Sequence, residues 1–166
     1  ITSGVLRQAW NFKKPEVPTS QNLEALLPLV GWKKVVLQEQ RIALPLAGME
    51  VDLGGFGKEY AADRAAQVLK EKGVTHGYVN LAGDMRFLGP KPNGEPWMIG
   101  IQDPRVRDQV VATLPITMGG LATSGDYERY FELNGQRYCH VLNPKTGMPV
   151  SYWRSVSVTS PATVVS

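Results

Sequence analysis

A single cysteine, Cys139, stands among the 166 residues. It has no companion for an internal disulfide and none at metal-ligand spacing, so it neither staples the fold nor reports a redox compartment. Long apolar runs are missing too: none approaches the roughly 20 residues that a bilayer crossing needs. Blocks of like charge are absent. The 18 Lys and Arg and 15 Asp and Glu are dispersed and leave a net charge of +3. That is too weak a basis for nucleic acid binding, although a basic balance suits a phosphorylated ligand. Trp10, Trp32, Trp97 and Trp153 keep no regular interval with basic residues, which argues against a stacking platform for single strands. The opening Ile-Thr-Ser-Gly-Val-Leu-Arg has neither a Met start nor the basic-then-apolar pattern of a signal peptide, and the expectation is a chain trimmed at its start. No internal repeat, low-complexity tract or long linker divides the sequence, so a single domain over residues 1–166 is expected.

What is present is the composition of an ordinary globular chain, 43% hydrophobic and 20% charged. Ser20 is placed to cap a helix over Gln21 to Val30 that Pro28 must kink or shorten. Short strands are expected at Val35–Leu37, Arg41–Leu44 and Met49–Leu53, the last leading into a Gly-rich loop. Glu59 to Lys72 holds no Gly or Pro and carries Ala61, Ala65, Val68 and Leu69 at helical spacing, with Gly73 as its stop. Further strands are expected at Tyr78–Leu81, Arg86–Leu88, Trp97–Ile101, Val110–Leu114, Arg129–Leu133, Tyr138–Leu142 and Ser155–Thr159. Gly89 to Pro96 reads as a long hairpin loop between two of them. The chain is therefore mixed α and β, with strands dominating its second half.

Three segments could carry chemistry. In Val51-Asp52-Leu53-Gly54-Gly55-Phe56-Gly57-Lys58-Glu59-Tyr60-Ala61-Ala62-Asp63 a glycine turn opens the helix, a junction that offers free N–H groups to a phosphate. It is no Walker A loop, because Glu59 follows Lys58, and no dinucleotide fingerprint, because Tyr60 stands where the third glycine belongs. A tight turn with Lys58 solvated fits equally well. In Asn80-Leu81-Ala82-Gly83-Asp84-Met85-Arg86 small residues would let a ligand approach while Asn80 or Asp84 supplies polar contacts; a plain hairpin is the alternative. The third segment runs from Ala122-Thr123-Ser124-Gly125-Asp126 to His140. Its hydroxyls, carboxylate and imidazole are expected on consecutive strands across the Asn134-Gly135 turn, within cross-strand reach. A Ser124–His140 hydrolase pair is conceivable, but Gly-x-Ser-x-Gly is absent, and a lone strand His is more often structural. His76 is read as a surface residue.

Taken together and in order, these segments resemble the ApbE family of FAD:protein FMN transferases. Its members carry V-D-L-G-G-x-x-K-G-Y-A-x-D, then N-x-G-G-x-x, then the long T-S-G-x-Y-x-R … G-x-R-x-x-H-x-x-D-P-x-T-G. The third is matched here by Thr123-Ser124-Gly125-Asp126-Tyr127-Glu128-Arg129, Gly135-Gln136-Arg137 and His140-Val141-Leu142-Asn143-Pro144-Lys145-Thr146-Gly147. Residues 1–6 and Ser155–Thr159 extend the resemblance over essentially the whole chain. Departures are Glu59 and Ala82 where Gly is usual, and Asn143 where Asp is usual.

The resemblance implies an α+β fold of antiparallel-rich mixed sheets flanked by helices, T-fold-like in its core. It implies magnesium-dependent splitting of FAD, with FMN joined to a Thr hydroxyl of an acceptor protein and AMP released. By the same resemblance Asp52 and Lys58 contact FAD, the Gly55 backbone carbonyl is a Mg²⁺ ligand, and the backbone near Val141 lies against the cofactor. His140 is the candidate base or proton shuttle at the acceptor Thr, Ser124 is the second catalytic candidate, and Thr123 lines the cofactor site beside it. Asp126, at a variable position, is read as a turn carboxylate. The family continues past the last strand into an Asp-x-x-x-Thr element bearing further metal ligands, expected beyond Ser166. It also implies a periplasmic or envelope location, with a membrane link only through an N-terminal lipid anchor. Two alternatives accompany this reading: an FAD pyrophosphatase yielding FMN and AMP, and a flavin-binding domain without turnover.

Overall fold

The computed structural model describes residues 2–166; Ile1, first of the opening segment, lies outside the described residues. In chain order the helices are α1 (Ser20–Leu26) and α2 (Gly57–Glu71). The strands are β1 (Val36–Gln38), β2 (Arg41–Ala43), β3 (Gly77–Leu81), β4 (Asp84–Gly89), β5 (Trp97–Gln102), β6 (Val110–Ile116), β7 (Gly119–Gly125), β8 (Tyr130–Leu133), β9 (Gln136–Cys139) and β10 (Ser155–Ser160). The fold is mixed α+β, and every paired strand is antiparallel. Contacts divide it into two compact units. The first holds the described residues up to Gly55 together with Asp126–Trp153; the second holds Phe56–Gly125 together with Arg154–Ser166.

The first unit is held by aromatic packing more than by sheet. Its opening turn of 3₁₀ helix, Thr2–Gln8, buries Thr2, Gly4, Val5 and Leu6. Trp10, Leu23 and Phe131 form a buried cluster with Phe12 and Tyr138 against it, and the Trp10 indole N–H donates to the Gly147 carbonyl at 2.8 Å. α1 begins one residue earlier than expected, because the cap is Thr19, whose hydroxyl accepts from the Asn22 N–H at 3.2 Å. It ends at Leu26, where Pro28 permits only a 3₁₀ turn over Leu27–Leu29. β8 and β9 form the expected hairpin around Asn134-Gly135, both with positive φ (52° and 77°) as a tight primed turn requires. The strand expected to run on to Leu142 stops at Cys139. Beyond it the His140 N–H turns to the Arg129 carbonyl, and Leu142 bridges only to Pro149. Met49–Leu53 forms no strand either. Asp52 bends the chain by accepting the Gly54 N–H at 2.8 Å, a side-chain turn that competes with extended pairing.

The second unit is built on a four-stranded sheet in the order β10-β7-β4-β3. Successive side chains of a strand point to opposite faces, and β4 shows what each face needs. Met85 and Phe87 join Leu121 and Ile116 in an apolar cluster, covered by Trp97, Ile99, Ile101 and Leu114 of the β5–β6 hairpin. Asp84 and Arg86 pair instead with Lys58 and Asp63 of α2. That pairing decides which side of α2 turns inward. The buried positions are Ala62 and Ala66, flanking Asp63, whereas Val68 and Leu69 are exposed. The apolar spacing of Ala61, Ala65, Val68 and Leu69 therefore marks the helix but not its packed face.

β7 has no counterpart among the expected strands, because its glycines disguise it. Gly120 is nevertheless required: a Cβ there would stand 2.4 Å from Thr163 Cα, where the terminal 3₁₀ turn Thr163–Val165 crosses the sheet. Gly89 to Pro96 is not a hairpin loop. β4 pairs with β3 and β7, and β5 pairs with β6 alone.

Candidate functional site

In the second unit the helical half of the first motif, from Phe56 onward, meets the second motif. α2 starts at Gly57 with Phe56 at its N-cap and no side-chain cap, so its opening N–H groups lack the usual acceptor. A Cβ at Gly57 would meet nothing within 4 Å. One residue into the helix, Lys58 donates to Asp84, the first residue of β4 and only 3% exposed. The solvated reading of Lys58 is thus replaced by an ion pair with a buried carboxylate. Asn80 works inside the turn before β4, its side-chain oxygen accepting the Gly83 N–H at 2.8 Å. Ala82 in that turn has φ 54°, a left-handed conformation that disfavours side chains and fits the glycine usual there.

Thr123 and Ser124 are neighbours on β7 and therefore face opposite sides of the sheet. Thr123 lies opposite Ser157 on β10, the two hydroxyls 2.8 Å apart. Ser124 lies opposite Val156, is exposed, and shares the face of Gly120 and Arg86. The structure does not bring these two side chains together. Nor do their strands pair with those carrying the rest of the motif: β7 is bonded to β4 and β10, and β8 to β9. The expected cross-strand placement of the hydroxyls against the imidazole is thereby corrected.

In the first unit Asp52 sits under the opening turn. Its carboxylate lies 3.3 Å from the Arg7 guanidinium, which also reaches Glu50 at 3.8 Å. Gly4 is required over it, because a Cβ there would come within 2.4 Å of Asp52 Cβ. Gly54 and Gly55 follow exposed, and a Cβ on Gly55 would meet nothing within 4 Å. His140 stands immediately after β9. The Arg129 carbonyl accepts its backbone N–H at 3.0 Å and faces its Nδ1 at 3.3 Å. A carbonyl only accepts, so Nδ1 carries the proton and Nε2 keeps a lone pair. Burial holds the imidazole pKa below the ordinary 6.5, partly opposed by that carbonyl. The ring is therefore neutral, the form that accepts a proton, around pH 7. Val141 contributes its backbone, its carbonyl accepting the Val150 N–H at 2.9 Å. Asp126, read as a turn carboxylate, is ion-paired with Arg137 at 3.6 Å, and Arg137 also stacks 4.0 Å over the Tyr130 ring. His76 Nδ1 faces the Pro90 carbonyl at 2.9 Å.

Sequence reading gave no role to three further groups, although Asp63 closes the first motif. Arg7 gave no signal, being a lone cation in an apolar opening segment. Asp63 accepts the N–H groups of Thr163 and Val164, each at 3.0 Å, and approaches Arg86 Nε at 3.5 Å. Thr163, fully buried, donates its hydroxyl to the Met85 carbonyl at 3.0 Å. The hydrogen bonds of Asp63 to the terminal turn and of Thr163 to Met85 span about 80 to 100 positions and have no local signature.

The chain thus carries an antiparallel α+β fold, with an uncapped helix behind a glycine turn in its second unit and a histidine directly after a hairpin in its first. The family model described as "ApbE family" matches residues 1–166, and the chain belongs to that family. Among curated relatives, FAD:protein FMN transferase of Escherichia coli K12 is 32% identical over 168 residues, covering 96% of this chain and 48% of that protein. The Haemophilus influenzae protein of the same name is 31% identical, covering 100% and 51%. Among solved structures, the ApbE protein of Thermotoga maritima superposes with a TM-score of 0.89 at 38% identity, covering 99% of this chain and 55% of that one. The chain spans about half the length of the curated relatives it matches.

Proposed function

We propose that the protein carrying this chain transfers FMN from FAD to a Thr hydroxyl of an acceptor protein and releases AMP. Supporting this is the name shared by its relatives, FAD:protein FMN transferase. The observation that carries it here is the open, uncapped start of α2, with Lys58 in its first turn and no side chain crowding Gly57. A diphosphate suits such a place, since the helix end is positive and its N–H groups are unspent. In this reading Asp52 and Lys58 contact FAD and the backbone at Val141 lies against it. Thr123 and Ser124 contribute from opposite faces of β7, so at most one meets the ligand through its side chain.

The chemistry is an in-line displacement. The acceptor Thr oxygen bonds to the phosphorus on the FMN side, the bond to the bridging oxygen breaks, and that oxygen leaves with AMP. His140 takes the Thr proton on Nε2, while the Arg129 carbonyl holds Nδ1–H and so fixes the tautomer. Magnesium, as the resemblance implies it, would offset phosphate charge. The described residues do not by themselves fit that ion. The Gly55 carbonyl is one neutral donor, no cluster of three or more His, Cys, Asp or Glu is found among them, and a hard dication wants carboxylates or substrate phosphates. A periplasmic or envelope setting, with a lipid anchor, belongs to the same proposal.

The test incubates the natural full-length protein with FAD, Mg²⁺ and a Thr-containing acceptor, and follows AMP and covalent flavin. Acceptor-dependent AMP with flavinylated product is the expected result. Acceptor-independent AMP with free FMN would replace transfer by pyrophosphate hydrolysis, and flavin binding without AMP would leave a non-catalytic binder.

A further inference from the structure

We propose that Asp84 is a positioning residue whose buried carboxylate fixes the Lys58 ammonium at the first turn of α2, where it meets the FAD diphosphate. The inference rests on the reading of Lys58 as an FAD contact.

A lysine is a point charge on a flexible four-carbon stem, and nothing in its own backbone fixes where the ammonium stands. The Lys58 side chain is 51% exposed, so packing does not fix it either. Asp84 is the opposite, with 4% of its side chain exposed. Its place is set by the turn immediately before it, where Ala82 and Gly83 adopt φ of 54° and 97° and Asn80 accepts the Gly83 N–H. The β3–β4 register carries this into the sheet, with Leu81 opposite Asp84. A buried carboxylate is tolerated only when paired, so Asp84 holds the cation that reaches it. Order thus passes from the turn to Asp84, from Asp84 to Lys58, and from Lys58 to the uncapped helix start. One ammonium carries three donors; the hydrogen bond to Asp84 uses one and leaves two for phosphate oxygens. The second motif then contributes to FAD binding through Lys58, without touching FAD itself.

The experiment measures FAD affinity by flavin fluorescence, together with thermal stability, in the full-length protein. Lys58→Met and Asp84→Asn are each expected to weaken FAD binding by about tenfold, as loss of a group that orients a ligating side chain does. The double variant should bind no more weakly than either single one, because both act through one ammonium. Asp84→Glu separates position from charge. It keeps the carboxylate but moves it by one methylene, so thermal stability should return while FAD affinity stays low. Parental FAD affinity in Asp84→Glu, or in a folded Asp84→Asn beside a weakened Lys58→Met, overturns the proposal. If Lys58→Met binds FAD normally, the Lys58 contact fails and the proposal falls with it. Flavin transfer is judged separately by AMP and covalent product. Should Asp84→Asn not fold, Asp84→Glu alone decides.

Discussion

The two units treat buried titratable groups differently. Both pair carboxylates with cations: Asp84 with Lys58 and Asp63 with Arg86 in the second unit, Asp126 with Arg137 in the first. Among the described residues, the first also holds groups that loss of water drives toward neutrality. His140 is shifted down and the Cys139 thiol is shifted up from 9.0, each chiefly by loss of water. The difference follows from what surrounds the groups. α2 lies across the sheet and offers each polar residue of β4 an ionic partner, whereas the segment after β9 meets backbone carbonyls. Paired charge ties elements together, while a neutral, half-buried base stays chemically available.

The largest effect should come from the second unit's apolar face. Phe87 is 0% exposed and sits in the cluster with Met85, Ile116 and Leu121. Phe87→Ala should cost about 3–5 kcal/mol, read from urea unfolding, because a large cavity opens in a sheet whose register prevents collapse. A loss below about 1 kcal/mol would mean that the ionic face, and not this cluster, holds the unit.

Asp63 tests the ionic face. Its oxygens accept two N–H groups from the terminal turn, and Arg86 stands beside it; both side chains of that pair are 18% exposed. Asn in its place presents an NH₂ to one of those donors and removes the charge. Asp63→Asn should therefore cost about 1–3 kcal/mol. Hydrogen exchange at Val164 and Val165 should quicken more than exchange in β5. Uniform quickening would show that Asp63 does not act locally on the turn.

These same contrasts set how much could be read beforehand. α2 is legible as a helix because Glu59–Lys72 lacks breakers, yet the spacing of its apolar residues does not show its inward face. Periodicity finds an apolar stripe, and here the sheet presents Asp84 and Arg86, which recruit Lys58 and Asp63 instead. β7 escaped because Gly119, Gly120 and Gly125 resemble turn residues, and Gly120 is explained only by the backbone of Thr163 lying on it. The motif residues Asp52, Lys58 and His140 were legible by type and order. Their partners Arg7, Asp84 and the Arg129 carbonyl were not, since each contact joins residues 11 to 45 positions apart. Thr123 and Ser124 show the converse: the resemblance assigns both to one site, and strand alternation sends their side chains to opposite faces.

The smallest effect separates the units by pH. The folded pKa of His140 lies below the ordinary 6.5 that the unfolded chain retains, so the native state binds this proton less tightly. Its contribution to stability is therefore intact above pH 6.5 and is lost as pH falls from there toward the folded pKa. His140→Gln removes that arm: parent and variant should converge in pH dependence above 6.5, and the parent alone should show the extra decline below it. Unfolding midpoints from pH 5 to 8 measure this. An identical acid arm in both proteins would mean that the imidazole is no harder to protonate when folded, and His140 would then lose the physical basis for acting as a neutral base. If the proposed transfer holds, its rate should fall as pH drops through the lowered pKa of folded His140, because Nε2 can accept a proton only while its lone pair is free.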